Sequence, residues 1–226
     1  MTDVPKARPA STVVLLRDTD SGMETLMLKR NKALMFAGGL WVFPGGALED
    51  SDIESAEGDI ALAARIAAAR EAEEECGLRP DTDNMVHLSH WTTPVVEPKR
   101  FETWIYAAPL AEDADVAIDG SEIHDFAWIR VGDAVAQHEA GEFGMLPPTY
   151  ITLLSLLRYT TTADMAAGEN EIPPPYVFPV FTKADGKMAV LFQGDAGYET
   201  GDGSAEGARH RAIMQEKGWE LSLIHI

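Results

Sequence analysis

The run Arg70-Glu71-Ala72-Glu73-Glu74-Glu75-Cys76-Gly77-Leu78 closes an alanine-rich segment that begins at Asp59. Alanine is the strongest helix former, Asp59 suits the N-cap, and Gly77 suits the left-handed residue that ends a helix. The sequence therefore predicts a helix over 59–76. Helical steps of three and four put Glu71, Glu74 and Glu75 on one face and turn Glu73 away. The three carboxylates repel one another in the last turn, where the helix dipole already disfavours negative charge. Each such penalty is a few tenths up to about 1 kcal/mol, and Arg70 is the basic residue close by to relieve it. A solvated acidic face is the ordinary reading of a glutamate run. A local rule broken this way points instead to compensation by a hard cation, Mg²⁺ or Mn²⁺, which takes clustered carboxylate oxygens together with phosphates.

Upstream of this helix, Thr12 to Leu16 (TVVLL) and Thr25 to Leu28 (TLML) read as two strands, with turn formers from Asp18 to Gly22 between them. Trp41-Val42-Phe43 is a short strand stopped by Pro44-Gly45-Gly46, and a polar stretch from Glu49 to Gly58 leads into the helix. Downstream, Met85 to Trp91, Thr103 to Ala108 and Ile123 to Ile129 have strand composition. Val131 to His138 and Thr149 to Arg158 read as helices, the second opened by Pro147-Pro148. Strands interleaved with helices imply an α/β (α+β) sandwich. Past Glu171 the character changes: Pro173-Pro174-Pro175 reads as a linker, and Val177 to Phe192 as a hairpin turning at Ala184-Asp185-Gly186. A glycine-rich loop from Gly194 to Gly207 follows.

The chain has 226 residues, 37 acidic against 18 basic, and a formal net charge of -19. Nucleic acid and anionic membrane would both be repelled, so neither is expected as a partner. The single cysteine, Cys76, cannot close an internal disulfide and has no neighbouring histidine, so neither an oxidising compartment nor a thiol nucleophile is expected. Residues 1–10 lack the apolar stretch of a signal peptide, and the most apolar run, Ile60 to Ala69, is too short to span a bilayer. A cytoplasmic protein is the expectation. The last six residues, Leu221-Ser222-Leu223-Ile224-His225-Ile226, match the translation of a transposase-adapter sequence and are read as an artefact.

With Phe43-Pro44-Gly45-Gly46 before the helix, Arg70, Glu71, Ala72, Glu74, Glu75, Gly77 and Leu78 match the second half of the Nudix box. Over residues 11 to about 160 the chain therefore resembles the Nudix hydrolase family. The spacing from Gly46 to Arg70 is roughly ten residues longer than the family pattern, the extra length falling in the polar stretch. The first box glutamate is left unassigned, with Asp52, Glu49 and Glu57 as candidates to support Arg70. The resemblance implies a Nudix-type α/β/α sandwich with a mixed sheet over residues 1–165, a C-terminal hairpin appendage over 166–220 and the artefact over 221–226. It further implies that Glu71, Glu74, Glu75 and the backbone carbonyl of Gly46 bind Mg²⁺ or Mn²⁺. Arg70, Glu71 and Glu122 would belong to the catalytic machinery, with Glu97 a weaker candidate for the base. The activity implied is hydrolysis of a small-molecule diphosphate.

A finer resemblance, to the coenzyme A diphosphatase branch typified by a peroxisomal enzyme, rests on several stretches. They are the long insert, Trp91-Thr92-Thr93-Pro94, Pro98 to Thr103, Leu146 to Thr149 and Leu28-Lys29-Arg30-Asn31. It implies coenzyme A or an acyl-CoA as substrate, with ADP-ribose or a nucleotide sugar as the alternative and a non-catalytic ligand sensor as a further one. Arg30, Arg100 and Phe101 are candidate substrate contacts. Trp41 and Trp104 join Phe101 as aromatics able to stack on an adenine, although strand aromatics usually serve the core. A homodimer is left open.

Overall fold

The computed structural model describes residues 5–34 and 37–224. Residues 1–4 of the N-terminal segment, and His225 and Ile226 of the tail read as adapter, lie outside them.

The chain begins with a hairpin, β1 (Arg8–Thr19) and β2 (Gly22–Arg30), whose register closes at Thr19 opposite Gly22. The TVVLL run is continuously apolar because both faces of β1 are covered: Val13 and Leu15 point into one cluster, Val14 and Leu16 into another. β3 (Trp41–Val42) pairs with β2, and β4 (Gly45–Ala47) pairs with β1. The Pro-Gly-Gly turn is thus also a strand. A Cβ at Gly45 would lie 2.7 Å from the Thr12 Cα, so only glycine lets this strand approach β1.

The polar stretch after β4, expected as irregular, contains helix α1 (Asp50–Ser55), followed by α2 (Ile60–Cys76). Asp59 caps α2 through the N–H groups of Ala61 and Leu62, and Gly77 ends it with φ 74°. Ala63, Ala64, Ala67, Ala68 and Ala72 are fully buried, so small side chains let α2 lie directly on the sheet. Next come β5 (Val86–Thr92), β6 (Phe101–Pro109), β7 (Ile123–Arg130), α3 (Val131–Ala140) and α4 (Pro147–Leu156). A helix not anticipated, α5 (Thr162–Asn170), is capped by Thr161 and buries Met165 completely. Its internal Gly168 hid it from propensity, yet a Cβ there would meet the Tyr159 ring.

β8 (Tyr176–Val177) then joins the edge of the main sheet, whose order is β3-β2-β1-β6-β5-β8, with β4 on β1 and β7 on β2. β1 and β6 run parallel, as do β5 and β8, and the other pairs are antiparallel. One face of this mixed sheet packs on α1 and α2; the other packs on α3, α4 and α5. This is the α/β/α layering expected.

The C-terminal hairpin forms as β9 (Val180–Ala184) and β10 (Lys187–Leu191), turning at Asp185-Gly186. Two further strands, β11 (Arg209–Met214) and β12 (Trp219–Ile224), extend it to a four-stranded antiparallel sheet. Val190, Phe192, Ala212 and Trp219 of this sheet join the same buried cluster as α3 and α4. His138 of α3 ties it in place: its Nδ1–H donates to the Phe143 carbonyl at 2.9 Å and its Nε2 accepts the Trp219 N–H at 3.2 Å. On the far side, the glycine-rich loop covers the strands. Arg211 is 1% exposed and donates to both Asp195 oxygens at 2.7 and 2.5 Å and to the Gly203 carbonyl.

Removing one partner of that pair leaves an unpaired buried charge. Asp195→Ala is therefore expected to cost about 3–5 kcal/mol in chemical denaturation. A loss under about 1 kcal/mol would show that the loop is not anchored by this pair.

Candidate active site

The last turns of α2 meet the Gly45-Gly46 segment of β4, and this junction gathers the charged groups. Arg70 is its hub. The guanidinium donates from Nε to Asp52 Oδ1 at 3.2 Å and from Nη2 to Asp52 Oδ2 at 3.0 Å. Nη2 also reaches the Ala47 carbonyl at 3.2 Å. Its Nη1 donates to Glu71 at 3.0 Å and to Glu74 at 3.3 Å. A planar fork of donors serves three carboxylates at once, which lysine could not do. Asp52 is 2% exposed and also accepts the Glu49 N–H at 2.8 Å. Of the three acids considered as Arg70's support, Asp52 therefore stands beside it. Glu49 is the N-cap of α1, and Glu57 lies beyond that helix at φ 52°. The inserted length is what forms α1, and α1 delivers Asp52 to the arginine.

Glu71 lies against Gly46: a Cβ on that glycine would sit 2.5 Å from the Glu71 Cδ. Glu75 is 8% exposed; its Oε2 accepts the Gly45 N–H at 3.0 Å, and its Oε1 lies 3.8 Å from Arg30 Nη1. Burial pushes its carboxyl up to about 8, with the Glu71 and Glu122 charges adding to the rise while the Gly45 N–H and Arg30 oppose it. Glu71 shifts upward too, mainly through burial, with Arg70 opposing. Glu74 remains solvent-exposed, and Glu73 turns away to pair with Arg79.

Arg30 spans the junction, donating from Nη2 to Glu122 at 3.0 Å. Glu122 belongs to a loop docked on the end of α2, where unpaired helix carbonyls need donors. The Ala117 N–H donates to the Cys76 carbonyl and the Asp119 N–H to the Glu75 carbonyl. Asp119 in turn accepts the N–H groups of Glu122 and Ile123 at 2.9 Å. Although burial opposes it, hydrogen bonds from Ser121 and from these N–H groups hold the Asp119 carboxyl down to about 2. Neither Asp119 nor the link from Arg30 to Glu75 was anticipated; the Asp119-Gly120-Ser121 turn composition was the available signal for the first.

Arg100 and Phe101, expected at the substrate, are not brought to this cluster. The Arg100 guanidinium is taken by the Thr93 and Pro5 carbonyls at 3.0 and 2.8 Å. Phe101 shares the alternating side of β6 with Ile105 and Ala107, which face α3 and α4, so pleating turns it away from α2. Trp41 stacks on Phe143 within the core at 4.2 Å. Glu97 makes no ion pair with the cluster and lies in the loop before β6. Cys76 is buried, donates to the Ala72 carbonyl, and has its thiol pushed up to about 11 by burial.

Among the described residues, no three acidic, histidine or cysteine side chains form a ready metal cage. Arg70 draws Glu71 and Glu74 aside while Gly45 holds Glu75. The donor set nonetheless fits an open Mg²⁺ or Mn²⁺ site. Such ions keep waters and take one or two carboxylates plus substrate phosphates. Glu71 and Glu75 supply hard oxygen donors whose ionisation a cation would favour.

The NUDIX domain pattern matches residues 6–149. The chain belongs to the Nudix family. It is a Nudix hydrolase, acting on phosphoric anhydrides. Among curated proteins, it is similar to "Putative nudix hydrolase 7" of Caenorhabditis elegans, 25% identical, over 84% of this chain and 74% of that one. Among solved structures, a NUDIX hydrolase from Alicyclobacillus acidocaldarius superposes with a TM-score of 0.65 at 21% identity. That match covers 73% of this chain and 97% of that one, and shows the shared fold. Among the described residues of this Nudix chain, no helix is long and apolar enough to cross a membrane.

A carboxyl whose folded-state value lies above its ordinary 4.5 binds protons more tightly folded than unfolded. In chelator, Glu75 should therefore make the protein lose stability as pH rises from its ordinary value of 4.5 toward about 8. Glu75→Gln should flatten that slope and, at the alkaline end, raise Tm by a few degrees. Parallel Tm–pH curves for the two proteins would contradict the packing described.

Proposed function

We propose that this chain hydrolyses the diphosphate of a nucleoside diphosphate derivative, with coenzyme A or an acyl-CoA as first substrate and ADP-ribose or a nucleotide sugar as second. The observation that carries this reading is the Arg70 junction. One guanidinium, braced by buried Asp52, sets Glu71 and Glu74 beside Glu75 and Gly46. Carboxylates crowded at the end of a helix, beside the strand backbone of a glycine pair, suit a polyanionic substrate only together with divalent cations. Glu71 and Glu75 would hold Mg²⁺ or Mn²⁺, with Glu74 and the Gly46 carbonyl as further ligands. When bound, the cation supplies charge neutralisation at the phosphate oxygens and acidifies water.

The chain's own residues do the remainder. Arg70 fixes the rotamer of Glu71 and spreads its positive charge over the acids, so the carboxylates are set in place before substrate arrives. Glu122 is the base we assign for removing a proton from the attacking water. It is exposed, carried on a loop that Asp119 shapes, and oriented by Arg30. Arg30 lies between Glu122 and Glu75, and its positive charge suits a phosphate oxygen at that junction.

Coenzyme A is ranked first on the long insert in the box, here seen to be α1, and on the Leu28 to Asn31 segment that ends in the site at Arg30. The test is a screen of coenzyme A, ADP-ribose and nucleotide sugars with Mg²⁺, products identified by mass spectrometry. The expected products from coenzyme A are a phosphopantetheine and adenosine 3',5'-bisphosphate. Glu71→Gln should lower turnover by about a hundredfold or more while folding normally, and Glu73→Gln should stay within about twofold of the parent. Inertness toward every diphosphate would overturn the proposal, and cleavage of ADP-ribose alone would replace the first substrate with the second.

A further inference from the structure

Glu75, Asp119, Glu122 and Arg30 close into a ring at the active-site junction. The Asp119 N–H donates to the Glu75 carbonyl at 3.3 Å. The Asp119 carboxylate accepts the Glu122 N–H at 2.9 Å. The Glu122 carboxylate accepts from Arg30 at 3.0 Å, and Arg30 lies 3.8 Å from the Glu75 carboxylate, where the circuit ends. The Glu122 peptide is pinned from its other side as well, because its carbonyl accepts the Asn31 N–H at 2.7 Å. Glu122 is thus an exposed loop residue whose N–H, carbonyl and carboxylate are each held by a different partner.

Asp119 makes the turn that closes this ring. Gly120 takes the left-handed conformation at φ 72°, and the chain folds back so that consecutive N–H groups converge on one carboxylate. Asp119 Oδ2 accepts the Ser121 N–H at 3.1 Å, the Ser121 hydroxyl and the Glu122 N–H, while Oδ1 accepts the Ile123 N–H at 2.9 Å. Both oxygens are taken by protein donors, so Asp119 reaches the reaction through Glu122 and not by touching substrate. Bonds to an ionised acceptor are the stronger class, and here they fix the backbone of a solvent-facing turn. The turn ends at Ile123, the fully buried first residue of β7, so the bracket runs from the end of α2 into the sheet.

We propose that Asp119 is a positioning residue for the hydrolysis, setting where Glu122 stands relative to Glu75. This rests on the reading of Glu122 as base given under Proposed function and deepens it. A base takes its proton only within hydrogen-bond reach, about 2.6–3.2 Å, and a misplacement of about 1 Å can cost on the order of a hundredfold in rate. Arg30 orients the Glu122 carboxylate, but an arginine on β2 cannot hold the loop that carries it. Asp119 does so from the backbone. Its N–H is fastened to the same residue, Glu75, whose carboxylate belongs to the acidic cluster, so base and cluster share one frame.

The test joins amide exchange to kinetics, both on the full chain. Exchange needs neither metal nor turnover. In metal-free protein followed by NMR, Asp119→Ala should speed exchange at the Glu122 and Ile123 amides at least about tenfold and leave the amides within α2 unchanged. With coenzyme A or ADP-ribose and Mg²⁺, the same variant should lower kcat by about ten- to a hundredfold and keep KM within about twofold. Asp119→Asn keeps one acceptor oxygen and should fall between Asp119→Ala and the parent. Asp115→Ala, at an exposed acid of the same loop, should leave both constants unchanged. In a Glu122→Gln background, Asp119→Ala should lower kcat no further, because a residue acting through Glu122 then has nothing to position. Losses that multiply in the double variant, or unaltered amide exchange in Asp119→Ala, would overturn the role of Asp119 and leave the base in place. Parental kcat in Glu122→Gln would instead overturn the base itself, and the positioning role with it.

Discussion

The candidate site depends on one guanidinium. Arg70 holds Asp52 on one side and Glu71 and Glu74 on the other, so a positive plane lies where acidic groups would otherwise separate. A half-buried arginine with this many charged acceptors exchanges part of its hydration for bidentate and single hydrogen bonds, and the exchange is most favourable while all of them are present. Asp52 is the fixed end of the arrangement, because it is fully enclosed and anchored to the start of α1. Glu71 and Glu74 are the other end, both held by the same arginine nitrogen.

The surrounding fold supports that junction in ways each traceable to small residues. Alanines along α2 bring the helix onto β1, and glycines at positions 45 and 46 bring β4 under its acidic end. Gly77 turns the chain out in a left-handed conformation, beside Ala117, so that the loop carrying Glu122 can dock on the last helix carbonyls. Backbone placement, rather than long side chains, sets the distances between acids. A junction built this way buries a carboxyl, and the raised Glu75 reflects that burial first and the neighbouring Glu71 and Glu122 charges second.

Much of this was legible in the sequence where the signal was local. The helix from its Asp59 cap to Gly77, the face shared by Glu71, Glu74 and Glu75, and the outward turn of Glu73 all follow from helical period and capping chemistry. An α/β sandwich followed from alternating elements, and its α/β/α layering from the family resemblance. What escaped was set by tertiary contacts. Nothing in the polar stretch singled out α1, six residues long, whose worth is one carboxylate delivered to Arg70. Arg100 was read as a substrate contact, yet two backbone carbonyls claim it. Phe101 was misplaced by parity alone, since pleating puts it on the far face while Trp104 falls on the near one. β11 pairs with β10 across a glycine-rich loop that gives no periodic signal, and the buried Asp195–Arg211 pair closing that loop spans 16 positions.

The acids at the end of α2 are proposed to bind divalent cations together with a diphosphate. An electron paramagnetic resonance titration of Mn²⁺ into folded protein tests it most directly, first alone and then with a non-hydrolysable ADP analogue. The free Mn²⁺ signal should fall on adding protein and fall further with the analogue. A free-ion signal unchanged by folded protein, with the analogue present, would contradict it.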